Sequence, residues 1–355
     1  MSKQAICLKI PKLQGQKTLV LTTWLRLVDR ELEIDENGSY LNIPLANQPS
    51  PGDFETLKKE GIDFAVSTQL FRQRKKKPSL SELLESELPI SLMASLPHAA
   101  DFIGEIAIIE IPPELEPHEK IIGKAFLRVH KNVRTVLAKA GAVSGAYRLR
   151  EFTVIAGEPS TETVHKESGC LFKVDVAKAY FSPRLSNEHN RIAALVREGE
   201  TVVDLFAGVG PFAILIAKTH ESVKVYAVDA NPYAVDYMKT NIRLNRVMNK
   251  VHTQLGDARQ ITNEKLSGVA DRVIMNLPEK AIEFVDVACR ALKSSGGVIH
   301  FYTFVDVSSS IENKKRDFKE AVEKSGRKIE EFLSFRVVRE TAPYEWQAVV
   351  DAQIR

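Results

Sequence analysis

The segment Val202-Val-Asp-Leu-Phe-Ala-Gly-Val-Gly-Pro-Phe-Ala-Ile-Leu215 constrains the fold more than any other. Branched apolar residues give a buried strand, two glycines and a proline give a tight turn, and an apolar run then gives a helix. Gly208 and Gly210 let the backbone approach a ligand with no side chain in the way. The rhythm continues around this segment. Strands are predicted at 201–205, 223–228, 250–255, 272–276 and 296–302, with helices at about 187–197, 211–218, 232–244, 280–292 and 307–326. Such alternation makes an α/β fold with a doubly wound, mostly parallel sheet. Two further strand-like runs, 332–338 and 344–350, are close enough in sequence to form an antiparallel C-terminal pair.

Two smaller α/β units precede this core, giving expected domains 1–72, 73–170 and 171–355. In the first, Ile6-Cys-Leu-Lys-Ile10 and Thr18-Leu-Val-Leu21 read as strands or short helices, 25–32 has helix spacing, and Asn37-Gly38 is a turn. The basic run Arg72-Gln-Arg-Lys-Lys-Lys77 marks the junction, and Ser79 with Glu82 reads as a helix start. In the second, Ile106-Ala-Ile-Ile-Glu-Ile111 is a buried-type strand, 118–129 a helix and 133–137 a further apolar run. The runs 152–155 and 161–165 alternate around Gly157-Glu158 and read as a hairpin, with 171–176 as another strand.

Composition narrows the class by exclusion. Cys7, Cys170 and Cys289 are too widely spaced for a disulfide framework or a zinc cluster, and no metal site is expected. No uncharged run reaches membrane-spanning length, and the first residues lack a signal-peptide pattern, so a soluble cytosolic chain with no membrane partner is expected. A net charge of +3 names no partner.

The carboxyl ends of the predicted strands carry the chemistry. Asp204 and Phe206 open the glycine loop, Asp229 and Ala230 follow the second strand, Asp257 and Ala258 the third, and Asn276 with Pro278 the fourth. In open sheets, ligands collect outside these ends, and an acid after the second strand can accept from ribose hydroxyls. Each residue alone reads equally well as a loop cap; four polar strand ends in order read as one rim.

The set Asp-Leu-Phe-Ala-Gly-Val-Gly-Pro, Val-Asp-Ala-Asn-Pro-Tyr, Gly-Asp-Ala and Asn-Leu-Pro-Glu resembles class I methyltransferases, and most closely the archaeal and eukaryotic tRNA (guanine-37 N1)-methyltransferase family. That likeness implies S-adenosylmethionine held by Asp204, Phe206, Gly208, Gly210, Asp229, Ala230, Asp257, Ala258 and Asn276. Amino-base methyltransferases with Asn-Pro-Pro-Tyr at the fourth strand carry an aromatic clamp that Asn276-Leu-Pro-Glu279 lacks, which favours a ring-nitrogen target. N1 of guanine must lose a proton before it attacks, so a base near N1 and a donor near O6 are needed. The resemblance implies Glu188 as base, Arg148 at O6, Tyr180 positioning the nucleotide, and Asn276 and Pro278 against the base. Read without it, Glu188 is equally a helix-dipole partner, and nothing in the residues chooses between Arg148 and Arg150, which share a face if their segment is a regular strand.

The resemblance further implies tRNA as partner, through the anticodon stem-loop and the outer corner, by a chain expected to be monomeric. Candidate RNA contacts are Arg74, Lys76, Arg128, Lys131 and Arg184, the last of which is also spaced to pair with Glu188. Relatives of this fold transfer an aminocarboxypropyl group or methylate C7 of a wyosine precursor at the same position, and both remain alternatives beside a non-catalytic RNA-binding protein.

Overall fold

A computed structural model describes residues 2–74, 78–97, 99–141, 145, 147–306 and 311–355. The chain divides into two compact units, Met1–Ser79 and Leu80–Arg355. In the first, strands β1 (Ser2–Pro11), β2 (Asp35–Asn37), β3 (Tyr40–Pro44) and β4 (Ala65–Arg72) form an antiparallel sheet in the order β2-β3-β1-β4, with helices α1 (Gly15–Trp24) and α2 (Pro51–Lys59). Leu8, Ile10, Ile43 and Leu57 make its core. The helix spacing of 25–32 is not realised. Arg26 adopts a left-handed φ of 56°, and the Leu27 amide donates to the Thr22 carbonyl at 2.9 Å, which stops α1. The chain then continues through bridges Val28–Leu45 and Leu32–Gln73, so Leu27 and Leu32 are buried outside any helix.

The second unit begins with α3 (Leu80–Leu84) and a four-stranded sheet, β5 (Ala100–Ile103), β6 (Ile106–Ile109), β7 (Thr135–Lys139) and β8 (Phe152–Gly157). β6 and β7 are parallel, and α4 (Glu119–Val129) lies between them in sequence, burying Ile122, Ala125 and Phe126 in the core of this sheet. β8 pairs with β7, whereas β9 (Glu162–Glu167) pairs with β10 (Cys170–Asp175). The expected 152–165 hairpin therefore does not form; alternation marked both strands but did not name their partners. A domain boundary at 170 would fall inside the β9–β10 hairpin.

After α5 (Ser186–Leu195) comes a seven-stranded sheet of order β13-β12-β11-β14-β15-β17-β16. Its strands are β11 (Thr201–Asp204), β12 (Lys224–Asp229), β13 (Val251–Leu255), β14 (Arg272–Met275), β15 (Gly297–Asp306), β16 (Ile329–Ala342) and β17 (Glu345–Ile354). The first five run parallel, and β17 joins β15 and β16 antiparallel. β11, β14 and much of β15 are buried on both faces, which is why they read as unbroken apolar runs. Helices α5, α6 (Pro211–Thr219) and α7 (Pro232–Leu244) supply Ile192, Phe212 and Met238 to one core layer. Helices α8 (Ala258–Ile261), α9 (Val285–Ala291) and α10 (Ile311–Lys324) supply Ala258, Val285 and Phe318 to another. β16 carries four register shifts against β17, one between Val337 and Arg339, which sets Arg339 opposite Gln347. Among the described residues no helix is long and apolar enough to cross a membrane.

A buried chain of charge ties α5 to this sheet. Asp351 of β17 accepts from Arg191 at 2.5 Å, from Ser334 at 2.6 Å and from His300 Nδ1 at 2.6 Å. Arg272 donates to His300 Nε2 at 2.8 Å, so that nitrogen must be an acceptor and Nδ1 carries the proton. His300 is thereby a neutral tautomer, and burial holds its pKa below the ordinary imidazole value. Burial opposes the charge on Asp351, but its bonds to His300, Arg191 and Ser334 prevail and hold its carboxyl well below the usual range. Replacing Asp351 by Asn takes one of the two carboxylates from Arg191, leaving it Glu188 alone, and weakens the acceptor of Ser334 and His300 in a site where residue 351 is only 2 % exposed. Leaving a buried hydrogen-bonding group without its partner costs ~1–3 kcal/mol. Urea unfolding of Asp351→Asn near neutral pH is expected to show that loss, and a loss below ~1 kcal/mol would contradict the assignment.

Candidate active site

A cavity of about 350 Å³ opens at the carboxyl ends of β11, β12 and β14. Phe206, Gly208, Asp229, Ala230, Asp257, Ala258 and Asn276 line it, together with Leu205, Phe284, Tyr147, Arg148, Tyr180, Leu185, His189, Pro278, Arg339 and Gln347. The sheet order explains the place. β11 has β12 on one side and β14 on the other, so the connections diverge there and leave a crevice.

The glycine loop shapes one wall. Gly208 has φ of 56°, and its amide donates to Asp229 Oδ2 at 2.7 Å while the Asn231 amide donates to Oδ1 at 2.8 Å. Gly210 has φ of 91°, begins α6, and packs against Met238, where a Cβ would sit 2.9 Å from the Met238 side chain. Asp204 and Gly210 are thus supports and not cavity lining. The Asp204 carboxylate is fully buried; Oδ1 accepts from the Phe206 amide at 3.3 Å, and Oδ2 has no partner. Burial raises its pKa to about 7, the Phe206 amide opposes this, and Asp229 adds to it. Burial also raises the Asp229 pKa, against the amides of Asn231, Gly208 and Ala230. Asp257 lines the cavity and caps α8, accepting from the amides of Arg259 and Gln260.

The upstream residues converge on the same cavity. Arg148 lies in a turn at φ of 55°, not in a strand, so the expected shared face with Arg150 is absent. Its Nη1 stands 2.6 Å from Glu279 Oε2 and its guanidinium 5.8 Å from the Tyr180 ring centroid. Arg150 is not in this wall and lines a neighbouring cavity, whose wall also includes Arg148, Tyr180, Arg184 and Arg339. Arg184 pairs with Asp101 at 2.6 Å and not with Glu188. Glu188 is 2 % exposed and is not part of the cavity wall. It accepts from Arg191 at 2.7 and 2.9 Å and from the Tyr302 hydroxyl at 2.6 Å. Tyr302 packs on Phe212, which does line the cavity. His189 lines the cavity with Nδ1 2.7 Å from Glu167. Arg128 and Lys131 are exposed, Arg74 lies in the first unit, and Lys76 falls outside the described residues.

Among the wall residues that the sequence did not indicate, two come from the C-terminal strand pair. Arg339 donates to the Tyr180 hydroxyl at 2.9 Å, to Ser182 Oγ at 2.8 Å and to Gln347 Oε1 at 2.9 Å. Gln347 Nε2 donates to Asn276 Oδ1 at 2.9 Å. The sequence signal was an amide interrupting the apolar run Trp346-Gln-Ala-Val-Val350 of β17, where Gln347 is 1 % exposed.

The doubly wound sheet and its acid-lined strand ends define a class I methyltransferase. Residues 163–330 match the TRM5/TYW2 methyltransferase domain, and residues 80–161 match the TYW2 N-terminal domain. The tRNA (guanine(37)-N(1))-methyltransferase Trm5b of Pyrococcus abyssi is 40% identical over 349 residues, covering 98% of this chain and 99% of that protein. Its crystal structure superposes with a TM-score of 0.72 and 38% identity over 99% of both chains. A complex of aTrm5 with tRNALeu superposes at 0.69, with 33% identity, over 99% of this chain and 100% of that one. Methanocaldococcus jannaschii TYW2 in complex with AdoMet superposes at 0.56, with 33% identity, over 72% of this chain and 99% of that one. A tRNA(Phe) (4-demethylwyosine(37)-C(7)) aminocarboxypropyltransferase of the same organism is 35% identical and covers 71% of this chain and 96% of that protein. The chain belongs to the archaeal and eukaryotic tRNA (guanine-37 N1)-methyltransferase family.

The Asp204 environment makes a test. An acid whose folded pKa lies above its unfolded value favours the folded state below the unfolded pKa and loses that contribution as pH rises toward the folded one. For Asp204 the window runs from about 4 to about 7. Asp204→Asn carries no such penalty. In ligand-free protein, its melting temperature relative to wild type is expected to rise between pH 5 and pH 7.5; a constant difference would refute the buried-acid assignment.

Proposed function

We propose that the chain transfers the methyl group of S-adenosylmethionine to N1 of guanosine-37 in tRNA. The observation that carries this reading is a single cavity holding both halves of the reaction. Phe206, Gly208, Asp229, Ala230, Asp257 and Ala258 form the strand-end rim, and Arg148, Tyr180, Asn276 and Pro278 form the facing wall. The rim fits the cofactor on its own terms. Gly208 leaves an open cradle in which a Cβ would have its nearest neighbour 3.5 Å away, and Asp229 and Asp257 bring carboxylates to the cavity wall. Bound there, S-adenosylmethionine supplies an electrophilic methyl group.

This chain's own residues then handle the acceptor. The target base must leave the anticodon-loop stack to reach the cavity. Arg148 supplies a cation for the charge that develops on O6 as N1 loses its proton, and the Glu279 carboxylate 2.6 Å away orients that guanidinium. Tyr180 offers a ring whose hydroxyl is fixed by Arg339. Glu188 takes the N1 proton. It sits on the α5 turn whose neighbours Leu185 and His189 line the cavity, and the role requires its carboxylate to turn from Arg191 toward the base. Full-length similarity to a guanine-37 methyltransferase, against 71% coverage by the aminocarboxypropyl enzyme, supports methyl transfer as the reaction.

Labelled methyl donor and unmodified tRNA transcripts are expected to give 1-methylguanosine with guanine at position 37 and none with adenine there. Thiomethyladenosine in place of adenosylhomocysteine would identify aminocarboxypropyl transfer instead. Glu188→Gln is expected to slow single-turnover transfer by about 10²–10⁴ while cofactor affinity holds. Equal loss of both would make Glu188 a support of α5. An unchanged rate would move the proton to another group, with His189 the titratable neighbour already in the wall.

A further inference from the structure

The hydrogen bonds of Arg339, Gln347 and Asn276 form a one-way relay. An arginine side chain has donors only. The Gln347 atom 2.9 Å from Arg339 Nε must therefore be the carbonyl oxygen. That choice turns the Gln347 amide nitrogen toward Asn276, and a donor there requires Asn276 to answer with Oδ1, at 2.9 Å. The end that Asn276 retains for the cavity it lines is then its Nδ2 donor. Arg339 is held in turn by Tyr180 and Ser182, and Gln347 is 1 % exposed, so water does not compete freely for the buried amide.

We propose that Arg339 and Gln347 are positioning residues that lock the Asn276 amide as a hydrogen-bond donor, and so select an acceptor base with a carbonyl beside the reacting ring nitrogen. This rests on the guanine-N1 reading above and deepens it. As N1 loses its proton, negative charge spreads onto O6, and a fixed donor becomes a stronger partner during the reaction. An amide locked the other way would present an acceptor, which suits an exocyclic amine. Adenine offers such an amine where guanine offers O6, so the locked donor meets another donor and the pairing fails.

The test reverses the relay without removing it. In Gln347→Glu both terminal atoms are acceptors. Arg339 keeps its partner, but Asn276 must turn Nδ2 toward the introduced carboxylate and present Oδ1 to the cavity. In Gln347→Ala the Asn276 amide is released and can still donate. Single-turnover transfer to guanine-37 tRNA is expected to fall by about tenfold or more in the Glu variant and by less in the Ala variant, with affinities for S-adenosylmethionine and tRNA held within about threefold. A merely structural role predicts the opposite order, since Glu replaces Gln in shape and Ala leaves a hole. A Glu variant as fast as the Ala variant, or faster, overturns the relay. If Gln347→Glu does not fold, Arg339→Met is measured in wild-type and Asn276→Asp backgrounds. The Arg339 effect is expected to shrink in the Asp background to the part carried by Tyr180 and Ser182, and fully additive losses overturn the proposal. Wild-type protein that makes no 1-methylguanosine defeats the functional reading itself, a result separate from any ordering of the variants.

Discussion

The molecule depends on the point in its sheet where strand order reverses. β11 pairs with β12 on one side and β14 on the other, and the connections leave in opposite directions. A crevice there is unavoidable, because no helix can cover both sides of the divergence. The glycine loop, Asp229 and Asn276 are all consequences of being next to it. Gly208 folds its amide onto Asp229, so the loop and the second strand are fixed to each other at 2.7 Å. The loop is therefore set in place by its own fold.

The antiparallel pair β16–β17 extends the sheet beyond its parallel half and supplies two kinds of polar support. Toward the cavity it gives Arg339 and Gln347. Away from it, Asp351 connects Arg191, and through it Glu188, to His300, Arg272 and Glu200. Opposite charges alternate along that chain, with a neutral histidine in the middle. Each buried ion is compensated, which is the condition under which such a network holds its geometry. Glu188 is consequently a group whose orientation belongs to the core as much as to the cavity.

Sequence alone conveyed the parallel half well, because strands buried on both faces leave apolar runs and their carboxyl ends leave polar residues in a fixed order. Phe206, Gly208, Asp229, Ala230, Asp257, Ala258 and Asn276 all reach the cavity for that reason. Asp204 follows the same pattern but is fully buried, because it sits level with Ala227 and Ile274, two residues short of Asp229 and Asn276. The failures share one physical origin. The spacing of 25–32 fits a helix until Arg26 takes a left-handed turn. β8 and β9 alternate as hairpin strands do, yet each finds a different neighbour. Arg184 finds Asp101, 83 positions away, in preference to Glu188 on the adjoining helix. Arg339 and Gln347 acquire meaning only through contacts to Tyr180 and Asn276, 159 and 71 positions distant. Local pattern carries no information about such partners.

The bulges of β16 give that strand an unusual kind of constraint. A register shift between Val337 and Arg339 is what turns the Arg339 guanidinium across from Gln347. Because side chains alternate with a period of two, adding or removing one residue between this bulge and the next would send the guanidinium to the opposite face. Outward positions such as Val337, which is half exposed, can change identity with little effect. What this stretch of chain cannot change is its count of residues, so an insertion or deletion here would be felt at the reacting base although the strand lies more than a hundred residues along the chain from the cofactor loop.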